Sequence, residues 1–475
     1  MEFLQTLFGA IGDFTWGWAL VPILVVFGVF ITVLTGFVQL TYSKRMFRAL
    51  SGKYQTADPN VISARQALLV SVGGRVGGGN IAGVAVAITL GGPGAVFWMW
   101  AIALIGMATS LVECSLAQLY KRRDANGDFR GGPARAIIHG LGQQYRWLAV
   151  LYAICLIASF AIGFNAFQGN TVAGAAEESL GLSRYITGGL LTLLAGFIVF
   201  GGIHRIAKAA DVVIPIMAIA YLAISIVIIA MNIGDMPAVI SSIFANAFGL
   251  EEAVGGGMGA AIAQGLRRGL FSNEAGLGSA PNVAATADVR HPISQGITQA
   301  LSVFIDTIII CSCTAFVILL SDAYVPGAEI DGVVLTQQSL VSHLGDWTQY
   351  FLTFILLFFA FSSIIYNYYL GENALSVITS HPMAINVLRV AIMAIVFLGA
   401  VAPGATSIFF FSDPAMGVLA LVNLIVIMML LPTCLRILTD FKKQVKAGVE
   451  RPVLNPDDFA DLDLDRTAWT GKAKD

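Results

Sequence analysis

Two stretches of this chain place glycine, asparagine and charge where an apolar helix would otherwise run: Ser71 to Gly83, SVGGRVGGGNIAG, and Phe271 to Gly278, FSNEAGLG. Glycine in a helix interior costs about 1 kcal/mol relative to alanine, and an arginine at membrane depth costs roughly 2.5 to 3.5 kcal/mol. A segment carrying both uses its backbone for more than spanning. Where a helix opens, amides at the restarted N-terminus suit an anion such as a carboxylate. Carbonyls released on the other side suit a cation, either an ammonium or a bare alkali ion, so one break can hold both ends of a zwitterion. Gly77, Gly78 and Gly79 admit close approach, and Asn80 is placed to fix the restarted helix. Small-residue helix packing explains one such run; two charged runs at corresponding places point to a site.

The elements that position these breaks are membrane helices. Of 475 residues, 57% are hydrophobic and only 12% charged, against about a quarter charged in soluble domains. This is the composition of an all-α polytopic membrane protein, with no basic surface suited to nucleic acid. Met1 to Asp13 lacks Lys and Arg, so the first apolar segment is expected to remain as a span rather than a cleaved signal. All five cysteines fall in apolar segments as packing residues, and the chain carries no HExxH or GxSxG that would mark an intramembrane enzyme.

Hydropathy predicts about eleven spans, at 14–40, 66–90, 91–119, 147–173, 185–202, 212–231, 253–283, 293–320, 350–376, 385–401 and 408–431. A short interfacial helix is expected over 239–250, and a partly ordered tail over 436–475. Counting Lys and Arg in alternate loops places every basic loop on one side. The positive-inside rule then puts the N-terminus outside and the C-terminus in the cytoplasm. With 14–40 set aside as an extra helix, the rest divides into 66–233 and 253–431, five spans each, and each half opens on its broken helix. An odd number of spans inverts the second half, the pattern of inverted-repeat transporters with a site at the bilayer midplane.

At these residues the sequence closely resembles the alanine or glycine:cation symporter family, also called amino acid carrier proteins. The resemblance is carried by RVGGGNIAGVAVAI (75–88), GGPGAVFWMW (91–100), ECSLAQLY (113–120), FRGGPA (129–134), LFSNEAGLGSAPN (270–282), FIDT (304–307) and FAFSSIIYNY (359–368). It implies uptake of small neutral amino acids with Na⁺, occasionally with H⁺, across a prokaryotic inner membrane, on a LeuT-like five-plus-five fold with one extra N-terminal helix. It also implies the amides of Gly78 and Gly79 for the substrate carboxylate. The carbonyls of Gly73 and Val76 with the hydroxyls of Ser362 and Ser363 are implied for Na⁺. Phe164, Asn165 and Gln168 are implied for the substrate-facing wall, with Phe271, Ser272 and Asn273 opposite. One position departs from the family pattern: Gly78 stands where a Ser or Thr is usual.

Arg75, Arg267, Arg268, Glu113, Glu274 and Asp306 are charges at or near membrane depth, where pairing is the rule. Glu274 is expected to pair with an arginine, and Asp306 to reach a cation. The leading expectation is a Na⁺-coupled amino-acid symporter, Na⁺ being cargo and not a prosthetic group. The alternatives are proton coupling and an uncoupled channel or facilitator. Gly79→Val is expected to block substrate by closing the approach to the backbone. Oligomeric state is not encoded in any feature of the chain.

Overall fold

A computed structural model of the chain describes residues 2–50, 61–124, 127–200, 202–249, 257–327, 332–379 and 381–471. The principal helices are α1 (Phe8–Thr35), the bent pair α2 (Ala64–Arg75) and α3 (Gly79–Gly91), α4 (Gly94–Leu119), α5 (Gln143–Leu180), α6 (Arg184–Val199), α7 (Ile206–Met231), α8 (Met236–Ala247) and α9 (Gly257–Asn273). They continue as α10 (Ala280–Ala284), α11 (Pro292–Leu319), α12 (Gly332–Leu344), α13 (Trp347–Ile378), α14 (Pro382–Val401) and α15 (Phe411–Lys446). The start of the expected seventh span, 253–256, lies outside the described residues.

Among the described residues, eight helices are long and apolar enough to cross a membrane, nine with α2 and α3 taken together. The two other expected spans are helical but short: α6 has 16 residues, and the seventh is divided into α9 of 17 and α10 of 5. At 1.5 Å per residue, 16 residues reach about 24 Å, less than the ~30 Å hydrocarbon core. Length and composition therefore do not by themselves reach eleven crossings. Outward faces of α6 and α7 are apolar, with Leu193, Phe197, Ile216 and Ile219 exposed, as lipid contact requires.

Local chemistry sets the boundaries. Ser63 caps α2 by accepting from the Gln66 amide at 3.1 Å while Gln66 Oε1 accepts from the Ser63 amide at 3.0 Å, which satisfies two donors at once. Five residues short of the expected end, α1 stops at Thr35, and Gly36 with φ of 80° closes the last turn. Asn246 at the end of α8 accepts from the Gly94 amide at 3.0 Å, so the expected interfacial helix is fastened to the start of α4.

The interior is built around the two breaks. α4 packs against α9 and α11, α5 against α13 and α14, and α2 against α7 and α13. Asp288 N donates to Ile62 O at 2.9 Å, tying the start of the first broken helix to the exit of the second.

The tail corrects an expectation. Instead of lying partly ordered, 447–471 docks on the basic loops: buried Trp469 donates from Nε1 to Leu119 O at 3.0 Å, and the Leu454 amide donates to Arg290 O at 2.9 Å. Lys121 is fully buried between the rings of Phe129 and Trp469, 4.0 and 4.6 Å from their centroids, a cation–π arrangement. Asp463 pairs with Arg122 at 2.7 Å and His139 at 2.6 Å. Burial raises the Asp463 carboxyl, but the hydrogen bonds and charge of His139 and Arg122 outweigh it and hold it below its ordinary range. Apolar anchors and complementary charge overcame the entropy that frees most chain ends.

Candidate functional site at the two helix breaks

The first break is three residues long. α2 ends at Arg75, Val76 turns extended with ψ 103°, and the restarted half departs at 53°. Two carbonyls near the end of α2 are met from α13: Ser362 Oγ donates to Gly73 O at 2.7 Å, and Ser363 Oγ lies 3.4 Å from Gly73 O and 3.5 Å from Val76 O. The four oxygens expected for a cation therefore converge. Two are carbonyl and two hydroxyl, hard ligands able to replace a small ion's water. Among the described residues, no group of three or more His, Cys, Asp or Glu is arranged to hold a metal. A narrow apolar crevice lined by Val70, Ala210, Ile214 and Ile365 leads to Ser362.

The freed amides meet carboxamide oxygens. Gly77 N donates to Asn80 Oδ1 at 3.0 Å, which is how Asn80 fixes the restart, and Gly78 N donates to Gln168 Oε1 at 3.1 Å. Gln168 thus presents a carboxylate-like oxygen to the amide expected to receive a carboxylate. A Cβ on Gly77 would lie 2.6 Å from Ser363 Oγ, and one on Gly78 2.8 Å from Thr171 Oγ1 and 2.9 Å from Phe167. At Gly79 it would meet Phe271 only at 3.4 Å. Of the three glycines expected to admit close approach, Gly77 and Gly78 are pressed by side chains of α5 and α13, while Gly79 already lies in the restarted helix.

The second break runs from Glu274 to Ser279 and is caged. Glu274, Gly276 and Gly278 have φ of 55°, 83° and 85°. Asn273 Oδ1 accepts from the Ala275 amide at 3.0 Å, so this residue serves the turn. From outside, Glu113 Oε1 accepts from Gly276 N at 3.1 Å, Asn423 donates to Gly276 O at 2.9 Å, and Tyr152 donates to Gly278 O at 2.7 Å.

Asp306 joins the two breaks. Its carboxylate accepts from Asn80 Nδ2 at 2.7 Å, Ser272 Oγ at 2.8 Å and Thr307 Oγ1 at 2.9 Å. Asn80 and Asp306 both lie where the chain is wound as π-helix, Gly79–Gly83 and Phe304–Cys311, and Phe164 ends a third such stretch, Ile157–Phe164. Such widened turns re-aim side chains and recur at functional sites. Phe164 stacks between Phe160 and Phe271 with centroids 4.4 and 4.3 Å away, and Phe167 meets Phe271 edge-on at 5.4 Å. The two breaks thus share an aromatic wall.

Asn165 faces α13, accepting from Asn367 Nδ2 at 3.1 Å, and Asp306, expected to reach a cation, accepts from Asn80, Ser272 and Thr307. One expected pairing is corrected. Glu274 makes no arginine pair: it accepts from Ser279 at 2.5 Å and Tyr366 at 3.0 Å. Arg75 donates to Ser302, Arg268 pairs with Asp413 at 3.2 Å, and Arg267 lies over the Trp16 ring at 5.6 Å. Thr171, Phe167, Tyr366 and Tyr152 were missed. Thr171 continues the i, i+4, i+7 face of Phe164 and Gln168, a signal the sequence did contain; Tyr152 had none.

A helical membrane protein with two interrupted helices so arranged has a LeuT-like fold. The fold is shared with the solved structure of MhsT in complex with L-phenylalanine, at TM-score 0.54 and 14% identity over 80% of this chain and 98% of that one. Residues 1–456 match the model of the sodium:alanine symporter family, and the chain belongs to that family. It is 44% identical to the amino-acid carrier protein AlsT of Bacillus subtilis, over 94% of each chain, and 36% identical to the sodium/alanine symporter AgcS of Methanococcus maripaludis, over 90% of this chain and 95% of that one. It is a multi-pass amino-acid symporter and not an enzyme.

Proposed function

We propose that this protein imports small neutral amino acids, alanine and glycine first among them, together with Na⁺ by alternating access. The observation that carries the reading is the first break, where Gly73 O, Val76 O, Ser362 Oγ and Ser363 Oγ gather on one side and the amides of Gly77 and Gly78 face side-chain oxygens on the other. On this reading Na⁺ takes the four oxygens, each hydroxyl turning its lone pairs toward the ion. The substrate carboxylate displaces Gln168 from Gly78 N, and the glycine amides stabilise its charge.

Phe164, Phe167 and Phe271 then bound the side chain and favour a methyl group over a long chain. The repeats 66–233 and 253–431 move about the shared site, with the N-terminus outside and the docked tail in the cytoplasm. The names of AgcS and of the family support alanine and sodium. Alanine accumulation by proteoliposomes under an inward Na⁺ gradient tests the function. Equal uptake with and without that gradient removes sodium coupling.

A further inference from the structure

Charge around the breaks does not balance. Glu113, Glu274 and Asp306 are 2%, 1% and 0% exposed, and the guanidinium acting on all three is Arg75. Arg75 donates to Ser302, while its buried Nε and Nη2 make no hydrogen bond, so no carboxylate neutralises it by contact. Three ionised carboxylates against one guanidinium would leave excess negative charge in an interior that does not tolerate it uncompensated.

The partners of the three carboxyls differ in kind. Glu113 accepts from the Gly276 amide at 3.1 Å and from Asn423 Nδ2 at 2.9 Å, groups that can only donate. Asp306 accepts at Oδ1 from Asn80 Nδ2 at 2.7 Å, again an obligate donor, and at Oδ2 from the hydroxyls of Ser272 and Thr307. Glu274 has hydroxyl partners only, Ser279 Oγ at 2.5 Å and Tyr366 Oη at 3.0 Å. A hydroxyl donates or accepts as required, so Glu274 can be charged or neutral without orphaning a neighbour. It also opens the second break, with φ 55°, a backbone state held only where surroundings impose it. Tyr366 carries the connection onward: its ring covers Gly74, where an added Cβ would lie 2.2 Å from it, and it lies about one helical turn from Ser362 and Ser363.

We propose that Glu274 is a proton-binding site of the transport cycle, neutral in the closed arrangement of the two breaks and ionised when they part and water enters. The groups facing it are Tyr366 of α13, Arg75 of α2 and Asp306 of α11, with Ser279 of its own turn. Closing around substrate then takes up a proton, so acid favours the closed state and alkali opposes it. The proposal rests on the amino-acid transport reading.

The test is alanine binding to the purified, detergent-solubilised protein at saturating Na⁺, with proton uptake followed by an indicator dye in weak buffer. In the wild type, affinity should weaken as pH rises from about 5.5 to about 8.5, by up to about tenfold per unit above the midpoint, with about one proton taken up per alanine. Glu274→Gln should bind with a flat pH profile and no proton uptake. Should that variant not fold, Tyr366→Phe decides: losing a donor to the anion favours the neutral acid and moves the midpoint upward. A wild-type slope and proton uptake in Glu274→Gln, or an unmoved midpoint in Tyr366→Phe, overturns the proposal. Alanine binding by the wild type without proton uptake removes the proton site and leaves the transport reading standing; no binding across a panel of amino acids removes that reading itself.

Discussion

The two breaks solve the same problem in opposite ways. The first is three residues of bare backbone whose carbonyls and amides meet hydroxyl and carboxamide side chains from α13 and α5, partners an ion and a carboxylate can displace. The second is a longer turn with three positive φ values, held by Glu113, Asn423 and Tyr152 from three other helices. An open backbone inside a membrane must be satisfied; on the proposed reading, exchangeable partners make the first break the binding site and fixed partners make the second a frame. Side chains from α4, α5 and α15 make the second turn a frame against which the first can exchange ligands.

Substitutions can break that contrast. Gly78→Val should have the largest effect, because its Cβ falls 2.8 Å from Thr171 Oγ1 and overpacking costs about 1 to 3 kcal/mol. Alanine binding should fall by about 100-fold or more while membrane insertion is kept; near-normal binding by inserted protein would show that the first break is not the carboxylate site. Next, Ser363→Ala should weaken apparent Na⁺ affinity by about tenfold, the order of one lost ligand or hydrogen bond. Alanine affinity at saturating Na⁺ should stay within about twofold, and a larger loss would mean that the hydroxyl serves the substrate.

At the second break, Asn423→Ala leaves Gly276 O and one Glu113 oxygen without their donor, which costs about 1 to 3 kcal/mol. Thermal stability should drop with little change in Na⁺ affinity. If Na⁺ affinity falls as far as in Ser363→Ala, the second break is no mere frame. Gly79→Ala should be milder still, within about twofold of wild type, since its Cβ makes ordinary contact with Phe271 at 3.4 Å.

The smallest effect belongs to the tail, remote from both breaks. Asp463 is depressed, so its contribution to docking is present above its unfolded value and is lost as pH falls through the lower folded one. Proteolysis of the tail should stay slow at neutral pH and rise only in strong acid. Asp463→Asn should raise it at neutral pH, and an unchanged rate would show that the tail is held without Asp463, by Trp469 and the Leu454 bond to Arg290.

Much of this was legible in the residues. Glycine with charge inside an apolar run marks a backbone in use, and motif resemblance put Ser362 and Ser363 beside Gly73 and Val76 although almost 290 residues separate them. The periodic face Phe164, Gln168, Thr171 was readable in principle. Asn165 shows the limit: one residue of helical rotation decides whether a side chain meets the break or the neighbouring helix, and π-type winding over Ile157–Phe164 shifts that rotation. The arginines show it again, since charge type predicts pairing but not with whom.

By itself the sequence determined that the chain is a bundle of membrane helices and that two of them are interrupted, because hydropathy, helix propensity and turn chemistry act along the chain. Only the tertiary structure decided which break is open and which is caged, that Glu274 has hydroxyl partners while Glu113 and Asp306 have obligate donors, and that the tail docks. Those outcomes depend on donors and acceptors brought from distant helices at about 3 Å, a distance that no one-dimensional pattern records.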